Sequence, residues 1–191
     1  MAVAIGLALA GCSGLGSVFS QAPIAYDLAA ASRFPRHPGH VRGQLVVVEP
    51  SALGPLDGTA ILVRPAPGEA ARLSDAQWQD RLPRLMQARL IQSFENAGRL
   101  RAVGRPADKI ATDFVLLTEL RAFEISVADR TAVVEIAAKL VADRSGRIVA
   151  ARVFRAEVPA GSTQGQGAVA ALNEAFARAA TELVLWAARV V

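Results

Sequence analysis

Apolar and polar side chains alternate along residues 131–143, and this alternation is the feature that most constrains the fold. Five apolar side chains share one phase of the repeat: Ala132, Val134, Ile136, Ala138 and Leu140. The opposite phase carries Glu135, Lys139 and Asp143. A period of two predicts a β-strand with one buried face. The turn Arg144-Ser145-Gly146 follows at once, so the next run, Arg147–Val158, is predicted to return as an antiparallel neighbour.

Three further strands are predicted from short apolar or β-branched runs. Asp113–Ser126 precedes the hairpin, while Gln44–Glu49 is closed by Pro50 and Thr59–Arg64 is closed by Pro65. Together with the hairpin they predict a sheet of about five strands.

A first amphipathic helix is predicted to start with the capping-box spacing of residues 74–77 and to run to Ala97. Pro83 implies a break, or a fresh start, near Leu82, and Gly98 is well placed to end the helix. At 100° per residue, one side of this helix is apolar. That side consists of Trp78, Leu82, Leu85, Met86, Leu90, Phe94 and Ala97.

A second long helix is predicted after the Gly- and Ser-rich loop at residues 159–167. Its apolar face consists of Val169, Leu172, Phe176, Ala179, Leu183, Trp186 and Val190. This face should close over the sheet. We interpret the stripe, including Trp186, as core, with a partner-binding stripe as the alternative.

These elements predict one α/β domain of the α+β type over residues 44–191, a mixed sheet of about five strands flanked by two long helices. A chain of 191 residues is long enough for one domain with a sizeable core. Residues 12–43 are rich in Gly, Ser, Ala and Pro, which predicts a flexible tether with a short extended piece at Ile24–Leu28.

Cys12 is the only cysteine of the chain, and it follows Leu9, Ala10 and Gly11 as in the bacterial lipobox, Leu-x-(Gly or Ala)-Cys. Residues 1–11 are apolar but reach only about half of the ~20 residues that span a bilayer, which favours a cleaved signal peptide over a membrane helix. We therefore predict lipidation of Cys12, with a buried cysteine as the alternative. Ser13 favours, by analogy with known sorting, the outer membrane. The apolar run lacks a preceding Lys or Arg, which suggests an upstream start codon.

The basic balance of the chain does not indicate a nucleic-acid partner. The net charge of +4 and the pI near 10.2 arise from 21 basic residues that are interspersed with 17 acidic ones. No basic run or recognition motif is present, so we predict a mixed solvated surface.

The sequence offers no residue set for catalysis, a metal or a cofactor. His37 and His40 lie in a Pro-rich segment where no core would fix an imidazole, and no nucleophile or nucleotide-binding motif is present. Four acidic residues could in principle pair as catalytic carboxylates, but water-facing strand and turn positions explain them better: Glu119, Glu124, Asp129 and Glu135. We predict that the protein is not an enzyme and binds no cofactor.

Several segments in a fixed order resemble those of a known family. They are the lipobox Leu9–Cys12, Tyr26-Asp27-Leu28, the run 56–64, the run 78–90 that opens with Trp78, and the closing helix 168–187. In this order and spacing the chain resembles the ABC-type transport auxiliary lipoproteins, which are encoded with lipid or organic-solvent transporters of the MCE (mammalian cell entry) type.

This resemblance implies a mixed sheet with two long helices, similar to the small layer domains of anticodon-binding and TolB N-terminal type. It also implies a place at the periplasmic face of the outer membrane, less so the inner membrane, beside an MCE-domain protein. A homo-oligomer is compatible with it.

Two functional hypotheses follow. The first is a lipid-anchored accessory component that docks on a transporter for lipids or hydrophobic molecules. The second is a stand-alone envelope lipoprotein with a structural or ligand-binding role. An ATPase, permease and MCE-domain gene nearby would favour the first. A hydrolase would need an ordered nucleophile and base.

Overall fold

A computed structural model describes residues 22–35 and 43–191 of the protein. The predicted signal peptide 1–11, Cys12 and part of the predicted tether lie outside these residues. The elements are β1 (Ile24–Tyr26), β2 (Gln44–Val47), β3 (Ser51–Ala52), β4 (Ala60–Arg64), β5 (Ala71–Trp78), α1 (Leu82–Ala97), β6 (Ala102–Gly104), β7 (Phe114–Ser126), β8 (Thr131–Ala142), β9 (Arg147–Pro159) and α2 (Gly165–Val190). Short 3₁₀ turns lie at Gly54–Leu56 and Pro106–Asp108.

The predicted α+β class is confirmed, with a mixed sheet and two long helices. Within the described residues the sheet has nine strands, more than the five predicted. Three of the additional strands, β1, β3 and β6, are only two or three residues long. Such short runs carry no periodic signal, so the sequence indicated only β1, as part of the extended piece predicted at Ile24–Leu28.

The long strands β7, β8 and β9 pair as consecutive antiparallel neighbours, as predicted. The other edge of β7 pairs in parallel with three short strands in turn, β2 near its start, β3 in its middle and β4 near its end. Beyond β4 lie β5 and β1, and beyond β2 lies β6. Among the described residues β9 forms an outer edge of the sheet.

Both helices contribute to one hydrophobic core on one side of the sheet. The alternating face of β8 is buried there in full, as predicted: Ala132, Val134, Ile136, Ala138 and Leu140. The helix α2 packs across β8 and β9. At the centre the ring of Phe123 contacts Trp78 edge-on at 5.6 Å and lies 6.1 Å from Phe176, between centroids. This geometry is a favoured one for aromatic pairs.

The predicted helix start at residues 74–77 is wrong, because these residues belong to β5. There Arg72 lies opposite Leu62 of β4, and Ala76 lies opposite Ile24 of β1. The capping-box spacing is a local signal, and pairing with two strands from elsewhere in the chain overrides it. The helix α1 instead starts at Leu82 with Pro83 in its first turn, the fresh start that Pro83 implied.

The two tryptophans differ from expectation in opposite ways. Trp78 is buried as predicted, with 1% of its surface exposed, but it lies at the end of β5 and not on a helix. Trp186 lies on α2 as predicted, but it is only half-buried. Its ring contacts Phe154 edge-on at 5.5 Å, between centroids. Trp186 therefore lies at the margin of the core.

Residues 27–35, here called the N-terminal strap, pack along both helices although they fall inside the predicted tether. The side chains of Leu28 and Ala31 are buried in the core. The predicted extended piece at Ile24–Leu28 contains the observed strand β1. Packing of the domain therefore starts before Gln44, the start that composition predicted.

Polar side chains of the helices hold the main chain of the strap. Asn173 of α2 accepts a hydrogen bond from the Ala29 N–H at 2.6 Å. From α1, Ser93 Oγ accepts from the Ala31 N–H at 3.0 Å, and Asn96 Nδ2 donates to the Ala31 carbonyl at 2.9 Å. Arg89 pairs with Asp27 at the start of the strap, and Arg99 donates to the Pro35 carbonyl at its end.

Ser93→Ala is expected to lower the free energy of unfolding by about 1–3 kcal/mol, because it leaves the buried Ala31 N–H without an acceptor. Ser93 is fully buried. Urea unfolding of the variant measures the loss, and the exposed Ser32→Ala in the same strap is the matched control. Equal stability of the two variants would contradict the assigned bond.

Candidate docking surface

The sheet face opposite α1 and α2, here called the open face, carries an apolar patch near the start of β7. Register places these side chains in rows across β7, β8 and β9. The patch consists of Val115, Leu117, Ala137, Val141, Ile148 and Val153. Ile148 is 57% exposed, Val153 46% and Leu117 39%. Lys139 of β8 lies opposite Leu117 and Ala151, between the row of Val141 and Ile148 and the row of Ala137 and Val153. Clusters of exposed apolar side chains mark interaction sites more often than isolated ones.

A cavity of about 280 Å³ adjoins the patch where β3 meets β7. Its lining comprises Val48, Glu49, Ser51, Leu117, Thr118, Glu119, Ala137 and Lys139. The apolar members continue the patch, Glu49 and Glu119 lie at its border, and Lys139 lies between its apolar rows. Ser51 Oγ donates to the Thr118 carbonyl at 3.4 Å. The cavity thus extends the apolar surface into the sheet.

Ion pairs cover the rest of the open face. Arg64 binds Glu124 through two hydrogen bonds of 2.7 Å. Arg155 reaches Glu135 at 2.9 Å and Glu157 at 2.7 Å. Arginine–carboxylate pairs therefore border part of the patch.

The four acidic residues considered as catalytic candidates do not form a carboxylate pair. Glu124 and Glu135 are bound by arginines, and Glu119 lies 3.4 Å from Arg121. Asp129 accepts a hydrogen bond from Ser126 Oγ at 2.7 Å. Each carboxylate thus has its own cationic or hydroxyl neighbour, an arrangement that serves structure and not proton transfer.

The hydrogen bonds from Arg64 to Glu124 raise the pKa of the Arg64 guanidinium above its ordinary value. Coulomb attraction adds to this rise, and burial opposes it. Because the pKa is higher in the folded state, the pair stabilises the fold at every pH at which Arg64 is protonated in the unfolded chain. This contribution is lost only as the pH rises through the pKa of the folded state. Arginine stays protonated far above neutral pH, so this pair is no switch at physiological pH.

The predicted lipidation residues Leu9, Ala10, Gly11 and Cys12 lie outside the described residues, as do His37 and His40. In residues 22–35 and 43–191 no group of three or more His, Cys, Asp or Glu side chains is placed to hold a metal ion. No helix within the same ranges is long and apolar enough to cross a bilayer.

The patch was not predicted, although a weak signal for it exists in the sequence. The strand β8 carries apolar residues in both phases of its repeat, since Val133, Ala137 and Val141 alternate with Glu135 and Lys139. A strand that is apolar on both sides predicts partial cover on its second face. Which of these residues stay exposed depends on the ion pairs beside them. Those ion pairs can be assigned only when the register of the strands is known.

Comparison with known proteins defines the class. A family model described as the ABC-type transport auxiliary lipoprotein component matches residues 26–184. The chain belongs to this family, and the resemblance seen in the sequence is confirmed. The match extends from the end of β1 through α1 and into α2, so it includes the strap and the open face.

Individual proteins agree with this assignment. An uncharacterized protein of Bradyrhizobium diazoefficiens is 34% identical over 164 residues, which cover 85% of this chain and 44% of that protein. The chain therefore spans less than half the length of this relative. The crystal structure of a Xanthomonas campestris protein of family DUF330 is similar with a TM-score of 0.78 and 32% identity, covering 87% of this chain and 96% of the other.

A second crystal structure, of an uncharacterized protein, has a TM-score of 0.71 at 14% identity and covers 87% of this chain and 99% of the other. At that identity the likeness concerns the fold alone. The fold of this chain is thus shared by solved proteins.

Proposed function

We propose that this protein is a non-catalytic accessory lipoprotein of an ABC transport system of the MCE type, which moves lipids or hydrophobic molecules across the envelope. Lipid on Cys12 would hold it at the periplasmic face of the outer membrane, where it docks on an MCE-domain protein. The observation that carries the proposal is the family match over residues 26–184, which begins 14 residues after the last residue of the lipobox, Cys12.

The surface chemistry supports a docking role. The open face presents an apolar patch with a charged border, a common arrangement for a protein interface. The acidic residues near it are engaged by Arg64, Arg121 and Arg155 and so are not free for acid-base chemistry. Both observations fit a component that binds a partner protein, while the ATPase of the transport system carries out the ATP hydrolysis.

Affinity purification of the full-length, lipid-anchored protein from detergent-solubilised envelopes tests the proposal. An MCE-domain protein is expected to be enriched over a matched purification with an unrelated outer-membrane lipoprotein. The apolar patch predicts an association that survives raised salt, because apolar contacts are not screened. If lipid-modified, membrane-bound protein repeatedly recovers no transport component, the hypothesis of a stand-alone envelope lipoprotein is favoured.

A further inference from the structure

The strand β9 has a free edge along its 13 residues in the part of the chain that the structure describes. Free edges offer unpaired N–H and C=O groups, and proteins that must stay unpaired keep large apolar side chains off them. Here Ile148, Val149 and Val153 are about half exposed on this strand. A bulge at Val149 interrupts the pairing with β8, and residues 150–158 beyond it form a regular edge.

The two sides of this regular edge differ in chemistry. On the open face, Val153 joins the apolar patch, and Arg155 is occupied by Glu135 and Glu157. On the helix side, the Arg152 guanidinium lies 5.1 Å from the centre of the Phe154 ring.

The nearest carboxylate to Arg152 is that of Glu182, at 4.0 Å, and both side chains are more than half exposed. Such a pair is weak. Arg152 therefore has room for a stronger carboxylate partner, whereas Arg155 does not.

The described chain enters the domain beside β1, at the edge of the sheet opposite β9. The described chain begins at Ala22, just before β1, and β1 pairs with β5. In the register of the sheet, Arg72 of β5 lies opposite Leu62 of β4, and Leu62 lies opposite Glu124 of β7. The patch starts about nine residues earlier on β7, roughly 30 Å away at ~3.3 Å per residue, and extends to the far edge.

The edge itself favours a protein over the anchoring membrane, because its unpaired N–H and C=O groups are satisfied by another extended backbone and not by acyl chains.

We infer that β9 binds an extended segment of a periplasmic partner protein, which adds to residues 150–158 as a further strand. Its apolar side chains lie beside Val153 on the open face, and a carboxylate on its other side pairs with Arg152. Main-chain hydrogen bonds supply affinity in this mode, and alternate side chains supply specificity. A second copy of β9 offers three arginines and one glutamate, so its charge does not complement the edge. The inference rests on the proposed function for the periplasmic location of this partner and for its expected identity as a transport component.

Photo-crosslinking in cells tests the inference with the full, membrane-anchored chain. A photoreactive phenylalanine analogue replaces Val153 on the edge, and the same analogue at Ile24, exposed on β1 at the opposite edge, is the control. Position 153 is expected to give an adduct with a second protein, whose mapped peptide has alternating apolar and acidic residues. Position 24 is expected to give no such adduct.

Charge reversal completes the test. Arg152→Glu is expected to weaken binding of the mapped peptide, made synthetically, about tenfold or more, because a charge-assisted hydrogen bond is lost and a like charge is added. The exposed Arg72→Glu, on β5, is the matched control and should leave binding unchanged.

Different outcomes separate the inference from the proposed function. An adduct with lipid or with a second copy of this chain, no adduct at position 153, or equal binding by the Arg152 and Arg72 variants would overturn the inference. If an MCE-domain protein is purified with the chain but never crosslinks at position 153, the proposed function is supported and the inference about β9 is overturned. A mapped acidic strand from a protein of another system supports the inference and counts against the function.

Discussion

Cys12→Ser is expected to abolish incorporation of labelled palmitate and normal membrane attachment of the protein. A serine hydroxyl cannot accept the diacylglycerol that the cysteine thiol takes, so processing of the signal peptide fails as well. In the wild type, two or more acyl chains at about 0.8 kcal/mol per buried methylene give stable anchoring. The unprocessed apolar segment can still hold some mutant protein at the inner membrane, so lipid labelling is scored beside fractionation.

Ser13→Ala, next to the predicted acylation site, is the matched control and should keep the label. The variant at Cys12 should unfold with the same urea dependence as the wild type, since every described element begins downstream of it. Wild-type protein that fractionates as soluble and unlabelled would refute lipidation. The family membership would stand in that case, because it rests on residues 26–184.

Trp78→Ala is expected to lower the free energy of unfolding by about 3–5 kcal/mol, the range for large aromatic side chains removed from a core. Trp78 is 1% exposed and contacts Phe123, where β5 meets the sheet centre. Neighbouring strands and helices cannot close such a cavity without losing their own contacts. Equilibrium urea unfolding, with the change in midpoint and slope, measures the loss.

Trp186→Ala is the matched control within the same residue type. Trp186 is half-buried and contacts Phe154 from the margin of the core, so its loss of stability should be clearly smaller. A loss below about 1 kcal/mol coupled to lost partner binding would assign Trp186 to an interface. Equal losses for the two variants would contradict the difference in burial between them.

The sequence predicts the parts of the fold whose signals are local. The hairpin of β8 and β9 was found because alternation and a turn lie side by side in the chain. The end of α1 was predicted because glycine readily takes the left-handed conformation that ends a helix, and Gly98 does so with a φ of 58°. Both signals act within a few residues.

The parts that were missed depend on partners far along the chain. Residues 71–78 form a strand only because β1 and β4 lie on either side of them. The strap is short of regular structure, and Asn173, 144 residues beyond Ala29, helps to hold it. The candidate docking surface likewise required the register of three strands, so composition alone could not assign it.

The strap also determines how the domain responds when tension acts on its N-terminal end. In a chain held through Cys12, a pull enters at Ala22 and runs along the axis of β1, which pairs side by side with β5 at three positions. Force in this direction shears all three positions together and does not peel them apart one by one. Further travel would have to drag Leu28 and Ala31 out of the core. In a chain anchored at Cys12, such strain would therefore be shared between the sheet and both helices, so the domain would move toward the membrane as one body.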